Sequence, residues 1–101
     1  MEHSLKVVDD IALVSIAGEL SLKDEEVFRT LSLETSNQAV SKCIVDLTRL
    51  DFLDSAGLGL LLVLNEFCDD NNIKVFLRPG SGDVREILDI SEFSTLIPYD
   101  E

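Results

Sequence analysis

Asp54-Ser55-Ala56-Gly57-Leu58-Gly59 joins a strand-like run to the most apolar helix that the sequence predicts. Upstream, residues 43–47 are apolar and partly β-branched, which is typical of a buried strand. Downstream, residues 58–70 form a long stretch without proline, which predicts a helix. Asp54 suits the N-cap position, because its carboxylate can accept hydrogen bonds from free N–H groups of the first turn. We therefore expect Ser55 to lie in the first turn, near water.

The elements before this junction predict a hairpin and a helix. Residues 5–8 and 11–17 have the pattern of two strands joined by the polar pair Asp9-Asp10. Ser21-Leu22-Lys23-Asp24 has the form of a capping box, which predicts the start of a helix. That helix is expected to bury the apolar residues Val27, Phe28 and Leu31.

After residue 47, predicted strands and helices continue to alternate along the chain. Residues 48–52 are expected to form a loop, and residues 73–77 form a predicted strand that ends at a turn. Val84, Ile87 and Leu88 have the spacing of one face of a third helix. The last apolar stretch, residues 96–99, contains Pro98, so we expect a short strand at an edge of the sheet.

This order of elements predicts an α/β fold, with a mixed, mostly parallel sheet and helices packed on it. The 101 residues, of which 46% are hydrophobic, suit one compact domain spanning residues 1–101. The formal net charge of −12 disfavours nucleic acid and anionic membrane surfaces as partners. We see neither a signal peptide nor an apolar run long enough to insert into a bilayer, and therefore expect a soluble, cytoplasmic protein.

Few residues suggest catalysis or metal binding. His3 is the only histidine and lies near the terminus, so no serine–histidine or cysteine–histidine pair is expected. Asp51 and Asp54 could bind a divalent cation, but such a pair is more often a solvated turn and a helix cap. Cys43 and Cys68 lack metal-binding spacing and are expected to be core thiols in a reducing compartment. We therefore expect no enzymatic activity, no metal and no cofactor.

The helix that begins near Ser55 has two faces of different polarity when its residues are projected at about 100° each. One broad apolar face is expected to contact the core and consists of Leu60, Leu61, Leu64, Phe67 and Cys68. Leu58 and Leu62 fall among polar residues beside Ser55, which suggests a small apolar contact patch. Alternatively, a neighbouring helix or loop covers both leucines and no contact patch exists. The Ser55 hydroxyl also has two interpretations, a phosphate acceptor at a helix N terminus or a simple capping group.

Three stretches of the chain resemble the STAS domain family. Gly18-Glu19-Leu20 is similar to the family's turn after the second strand, and residues 44–47 are similar to its central strand. Residues 54–59 carry the most specific resemblance, to the signature Asp-Ser-Ser/Thr-Gly-Leu-Gly. Free-standing members of this length are typically bacterial anti-sigma factor antagonists. The resemblance therefore implies the STAS fold, and it implies that a kinase phosphorylates Ser55.

The resemblance also implies partners. Antagonists of this family act in partner-switching circuits. There, a GHKL-type serine kinase, which is also the anti-sigma factor, binds the unphosphorylated antagonist. Phosphorylation ends the binding, and a PP2C-like phosphatase removes the phosphate. The helical projection adds Leu62 to the residues that the resemblance implies, and it supports Leu58. The expected partner-binding residues are therefore Ser21, Asp54, Ser55, Ala56, Gly57, Leu58 and Leu62.

Two positions depart from the family pattern. Ser21 stands where many antagonists have aspartate, and Ala56 replaces the second hydroxyl of the signature. Ser55 is therefore the one hydroxyl acceptor within the motif. Some STAS modules with a similar motif are instead non-catalytic accessory subunits of lipid or anion transport systems, and such a role is the alternative function.

Overall fold

The computed structural model describes residues 1–100. Its strands and α-helices follow the predicted order as far as α3, and short 3₁₀ turns at Leu22–Asp24 and Phe93–Thr95 precede α1 and follow α3. The elements are β1 (Glu2–Val8), β2 (Ile11–Leu20), α1 (Glu25–Ser36), β3 (Lys42–Leu53), α2 (Ser55–Asp70), β4 (Lys74–Arg78) and α3 (Asp83–Ile90).

The strands form one sheet in the order β1-β2-β3-β4. β1 and β2 are antiparallel and form the predicted hairpin, in which Val8 is the register partner of Ile11. Asp9 has a φ of 54°, a left-handed conformation that suits a tight turn. β2 with β3 and β3 with β4 are parallel pairs. The predicted fold class, an α/β fold with a mixed, mostly parallel sheet, is confirmed.

The core lies between one face of the sheet and the helices. Along β2, Ala12, Val14 and Ile16 are buried and alternate with half-buried residues, as expected for a strand with one covered face. Cys43 on β3 and Cys68 on α2 are buried free thiols, so their prediction as core thiols is confirmed. Hydrogen bonding with Cys68 and burial raise the pKa of the Cys43 thiol.

Residues 48–52 were expected to form a loop, and this prediction is wrong because β3 continues through them to Leu53. Glu19 and Leu20 of β2 are register partners of Phe52 and Leu53. Register shifts in the β2–β3 pair, which mark a bulge or irregularity, interrupt the alternation of buried and exposed residues. The polar residues of this part of β3 face solvent, and their composition therefore resembles that of a loop.

Three further predictions need correction. Val27 was expected to be buried but is 49% exposed, because the core face of α1 is centred on Phe28, Leu31 and Thr35. The predicted strand at 96–99 is reduced to one parallel bridge between Leu77 and Tyr99. Phe67, expected on the core face of α2, is only half-buried.

Candidate functional site

The N terminus of α2 begins directly where β3 ends. Asp54 is the N-cap residue, with φ −108° and ψ −175°, and its Oδ1 accepts a hydrogen bond from the N–H of Gly57 at 2.8 Å. The predicted cap is therefore confirmed. Ser55 is the first helical residue and is exposed. Among residues 1–100, none accepts a hydrogen bond from the Ser55 hydroxyl or donates one to it.

Gly57 sets how closely this helix start approaches β2. A Cβ atom at Gly57 would lie 2.5 Å from the carbonyl oxygen of Leu20 and 2.5 Å from Cδ1 of Leu53. Real side chains do not tolerate such distances, so only glycine fits here. Gly59 differs, because a Cβ atom there would meet no atom within 4 Å. The first turn of α2 is thus pressed onto the sheet on one side and open on the other.

Ser21 lies at the same end of the sheet as Ser55. Leu20 and Leu53 are register partners, so Ser21 and Asp54 leave the sheet from neighbouring positions. The backbone N–H of Ser21 donates to Oδ2 of Asp24 at 3.0 Å, which is the carboxylate half of the predicted capping box. Asp24 is buried, and its Oδ1 lies 3.6 Å from the amino group of Met1. The turn that carries Ser21 is therefore held by a buried carboxylate.

Leu58 and Leu62 are half-buried and pack against the core cluster. The two alternatives for these leucines were an exposed contact patch and coverage by a neighbouring element. Neither holds fully, since one side of each leucine contacts the core and part of the side chain remains at the surface. Ser55, Gly59 and Glu66 lie on the exposed side of the same helix. Leu58 and Leu62 therefore border an open surface that begins at Ser55.

Two exposed apolar residues at this end of the sheet did not belong to the predicted site. Leu22 is 66% exposed and follows Ser21, and Phe52 is 47% exposed and pairs with Glu19 in the β2–β3 register. Phe52 was expected to belong to a loop, so nothing indicated that its side chain would be fixed by a strand. Both residues add apolar surface to the end of the sheet where Ser55 lies.

The acidic residues near Ser55 do not form a metal centre. Asp54 uses one carboxylate oxygen to cap α2, and Asp51 is exposed on β3. Within the described part of the chain, no group of three or more His, Cys, Asp or Glu side chains could hold a metal ion. The site therefore presents an exposed hydroxyl beside negative charge and a partly apolar helix surface.

The STAS domain family model matches residues 2–101. The chain belongs to the STAS domain family. A STAS-domain containing protein of Pseudomonas aeruginosa (strain UCBPP-PA14) is 42% identical over 53 residues, which are 52% of each chain. The match thus spans about half the length of this curated relative.

Solved structures share this fold. The unphosphorylated form of the anti-sigma factor antagonist SpoIIAA superposes with a TM-score of 0.78 at 24% identity, covering 99% of this chain and 89% of that one. The inward-facing murine anion transporter Slc26a9 matches with a TM-score of 0.69 at 20% identity, covering 86% of this chain and 14% of the transporter. In the described part of our chain, no helix is long and apolar enough to cross a membrane.

Proposed function

We propose that this STAS protein is an anti-sigma factor antagonist that is switched off by phosphorylation of Ser55. One observation carries the proposal: Ser55 is exposed at the capped N terminus of α2, within the family signature, and its hydroxyl has no hydrogen-bond partner among residues 1–100. An exposed hydroxyl can enter the active site of a kinase without unfolding of the domain. Ala56, the next residue, offers no competing acceptor.

The helix N terminus also suits the product of such a reaction. A phosphoserine carries about −1.5 to −2 charges at neutral pH, and the N–H groups and dipole at a helix N terminus stabilise negative charge. Asp54 already satisfies the N–H of Gly57, so the cap remains in place when the phosphate is added. The domain itself therefore has no strong reason to rearrange.

A bound partner experiences the same phosphate differently. The interface would have to desolvate the phosphate beside Asp54 and Asp51, and burying a charge without a matching cation costs several kcal/mol. A loss of about 3 kcal/mol already lowers the affinity more than a hundredfold. Local charge and bulk are therefore sufficient for the switch.

We assign the partner surface to the exposed side of α2 and the neighbouring turn. Leu58 and Leu62 supply apolar area, Gly59 lets a partner approach the helix backbone, and Ser21 borders the surface. The partner is a GHKL-type serine kinase that is also the anti-sigma factor, and a PP2C-like phosphatase restores the binding form. In this role the protein binds and releases a partner and catalyses no reaction itself.

Phosphorylation by a GHKL-type kinase of the same organism, followed by mass spectrometry and binding measurements, tests the proposal. We expect the phosphate on Ser55 alone, unimpaired binding by Ser55→Ala even in the presence of ATP, and a more than about hundredfold loss of affinity on phosphorylation. A phosphate found reproducibly elsewhere would contradict the proposal. Equal binding of the kinase or of a transporter ATPase by unmodified and phosphorylated protein would favour the accessory role instead.

Gly59→Gln tests the partner surface without disturbing the core. A side chain at this position meets no neighbouring atom, so the fold should remain intact, while the added bulk lies one turn from Ser55. We expect the partner affinity to fall by about 1 to 3 kcal/mol, as for a moderately important interface position. Asp69→Gln, at the exposed far end of α2, is the matched control and should bind normally. Normal binding by Gly59→Gln would place the partner surface elsewhere.

A further inference from the structure

The two edges of the sheet are finished differently. At the β4 edge, the N–H of Leu77 donates to the carbonyl oxygen of Pro98 at 2.9 Å, and the N–H of Asp100 donates to that of Leu77 at 2.7 Å. Ion pairs from Arg78 at 2.8 Å and Lys42 at 3.5 Å hold the Asp100 carboxylate, and Arg78 lowers the pKa of this carboxyl group. The segment 98–100 therefore covers the β4 edge.

β1 forms the other edge and remains open in the described residues. It pairs with β2 alone, contains no proline, and keeps a regular register over its seven residues. Val7 and Val8 are 46% and 51% exposed. A long, regular edge strand presents a row of unpaired N–H and C=O groups, which is a template for pairing with another strand.

The two charged side chains Glu2 and Lys6 of β1 have opposite signs and lie at equal distances on either side of Ser4. Glu2, Ser4 and Lys6 are register partners of Ala17, Ser15 and Leu13, so all three project from the sheet face opposite the core. Both charged residues are exposed, and within residues 1–100 neither makes an ion pair. In an antiparallel pair of β1 strands centred on Ser4, Glu2 of each copy lies opposite Lys6 of the other.

We propose that β1 pairs in antiparallel orientation with β1 of a second copy of this chain, with Ser4 on the two-fold axis. The charges select this register. If the register between the two β1 strands shifted by one residue, Glu2 and Lys6 would lie on the same side as the core face of the second copy. Centring on Leu5 keeps the faces aligned but sets Glu2 opposite Val8 and Lys6 opposite Ser4, so both charge pairs are lost. Opposite charges across neighbouring strands stabilise a sheet, and here the contact occurs twice.

The helix side of the same edge offers apolar surface for this pairing. Val27 of α1 is 49% exposed and lines a cleft with His3 of β1. Leu5 and Val7 are register partners of Val14 and Ala12, so they project toward the helix side. In the proposed register, Leu5 of the second copy lies opposite His3 and reaches the rim of this cleft. The pairing therefore covers apolar area that the monomer leaves in water.

The proposed dimer does not depend on the proposed function. Antiparallel pairing reverses the direction of one sheet relative to the other, so the carboxyl ends of the two β3 strands point in opposite directions. The two Ser55 residues then lie at opposite ends of the dimer. Partner binding and dimerisation use separate surfaces, and a failure of either can be recognised independently.

Sedimentation velocity over a series of protein concentrations tests the dimer. We expect the wild-type chain to dimerise, and we expect Glu2→Lys and Lys6→Glu each to weaken the dimer roughly tenfold or more, because each creates two like-charge contacts. Glu2→Lys/Lys6→Glu should restore wild-type dimerisation, since the pair is only exchanged. A mixture of the two single variants should form heterodimers, because every contact is then between opposite charges. Lys74→Glu, at an exposed position of β4, is the matched control and should dimerise normally.

Three results would overturn the proposal: a wild-type chain that stays monomeric at every concentration, a dimer that tolerates both single reversals, or a double variant that remains as weak as the single ones. Circular dichroism of each variant tests whether the fold is intact. Because Glu2, Lys6 and Lys74 are all exposed, each variant should retain the melting temperature of the monomer.

Discussion

Helix α1 and the first turn of α2 both carry hydroxyl side chains, but in opposite environments. Ser32, Thr35 and Ser36 of α1 are 0%, 0% and 4% exposed. Each donates to a backbone carbonyl three or four residues earlier, at 2.8 to 2.9 Å. Ser55 is exposed, and its hydroxyl has no partner among the described residues.

The difference arises from where each hydroxyl lies relative to the sheet. Ser32, Thr35 and Ser36 lie in the second half of α1, on the side of the helix that Phe28 and Leu31 turn toward the core. Ser55 is the first residue after the N-cap, at the point where the chain has just left β3. A hydroxyl inside a packed helix is bound to its own backbone, whereas one at an exposed helix start remains available to a partner.

The largest expected effect is the difference in stability between two variants that each place a new negative charge in one of these environments. Ser32→Asp places a carboxylate at a fully buried position, and burial of an unpaired charge costs several kcal/mol, a large part of the roughly 5 to 15 kcal/mol that stabilises a small domain. Ser55→Asp adds the same charge at an exposed helix N terminus and should change the stability by no more than about 0.5 kcal/mol. Urea unfolding of both variants measures the difference.

Similar losses of stability in both variants would show that Ser55 is packed in solution, and would remove the basis of the proposed switch. NMR spectra of Ser55→Asp sharpen the comparison further. We expect chemical-shift changes confined to the neighbours of Ser55, because the helix N terminus accommodates the charge locally. Changes across the sheet and α3 would indicate a conformational mechanism.

The start of α2 could be predicted from the sequence because its determinants are local. Asp54 caps the N–H of Gly57 three residues later, and this preference is a property of a few neighbouring residues. The extension of β3 could not be predicted in the same way. Thr48, Arg49 and Asp51 are exposed and polar, and the irregular register removes the simple alternation that identifies a strand.

The geometry of the site depends on contacts that are distant in the chain. The need for glycine at position 57 comes from the carbonyl of Leu20, which the sheet register brings to this helix. The helical projection separated Leu58 and Leu62 from the core face, but both are half-buried because they also pack against core residues. Such partial burial follows from the packing of the whole domain and not from the helix alone.

Gly57→Ala should produce the second-largest effect. The added methyl group would meet the Leu20 carbonyl oxygen at 2.5 Å, and because this atom belongs to the backbone of a paired strand it cannot move away cheaply. We expect a loss of about 1 to 3 kcal/mol, typical of overpacking, and altered exposure of Ser55. Gly59→Ala is the control on the open side and should stabilise the helix by about 0.5 to 1 kcal/mol. Thermal unfolding distinguishes them, and equal stability would mean that α2 starts farther from β2 than the structure shows.

The smallest effect isolates the hydroxyl itself. Thr35→Val keeps the shape of the side chain and a similar helix propensity, but removes the buried hydrogen bond to the carbonyl oxygen of Leu31. That carbonyl keeps its main-chain helix bond, so the loss should be only about 0.5 to 1 kcal/mol. Thr30→Val, exposed on the same helix, and Ser55→Ala should both leave the stability nearly unchanged, because neither hydroxyl is buried. Chemical denaturation of the three variants compares them directly. A loss at Ser55→Ala as large as that at Thr35→Val would mean that the Ser55 hydroxyl is engaged within the fold, and that it stabilises the domain as the buried hydroxyls of α1 do.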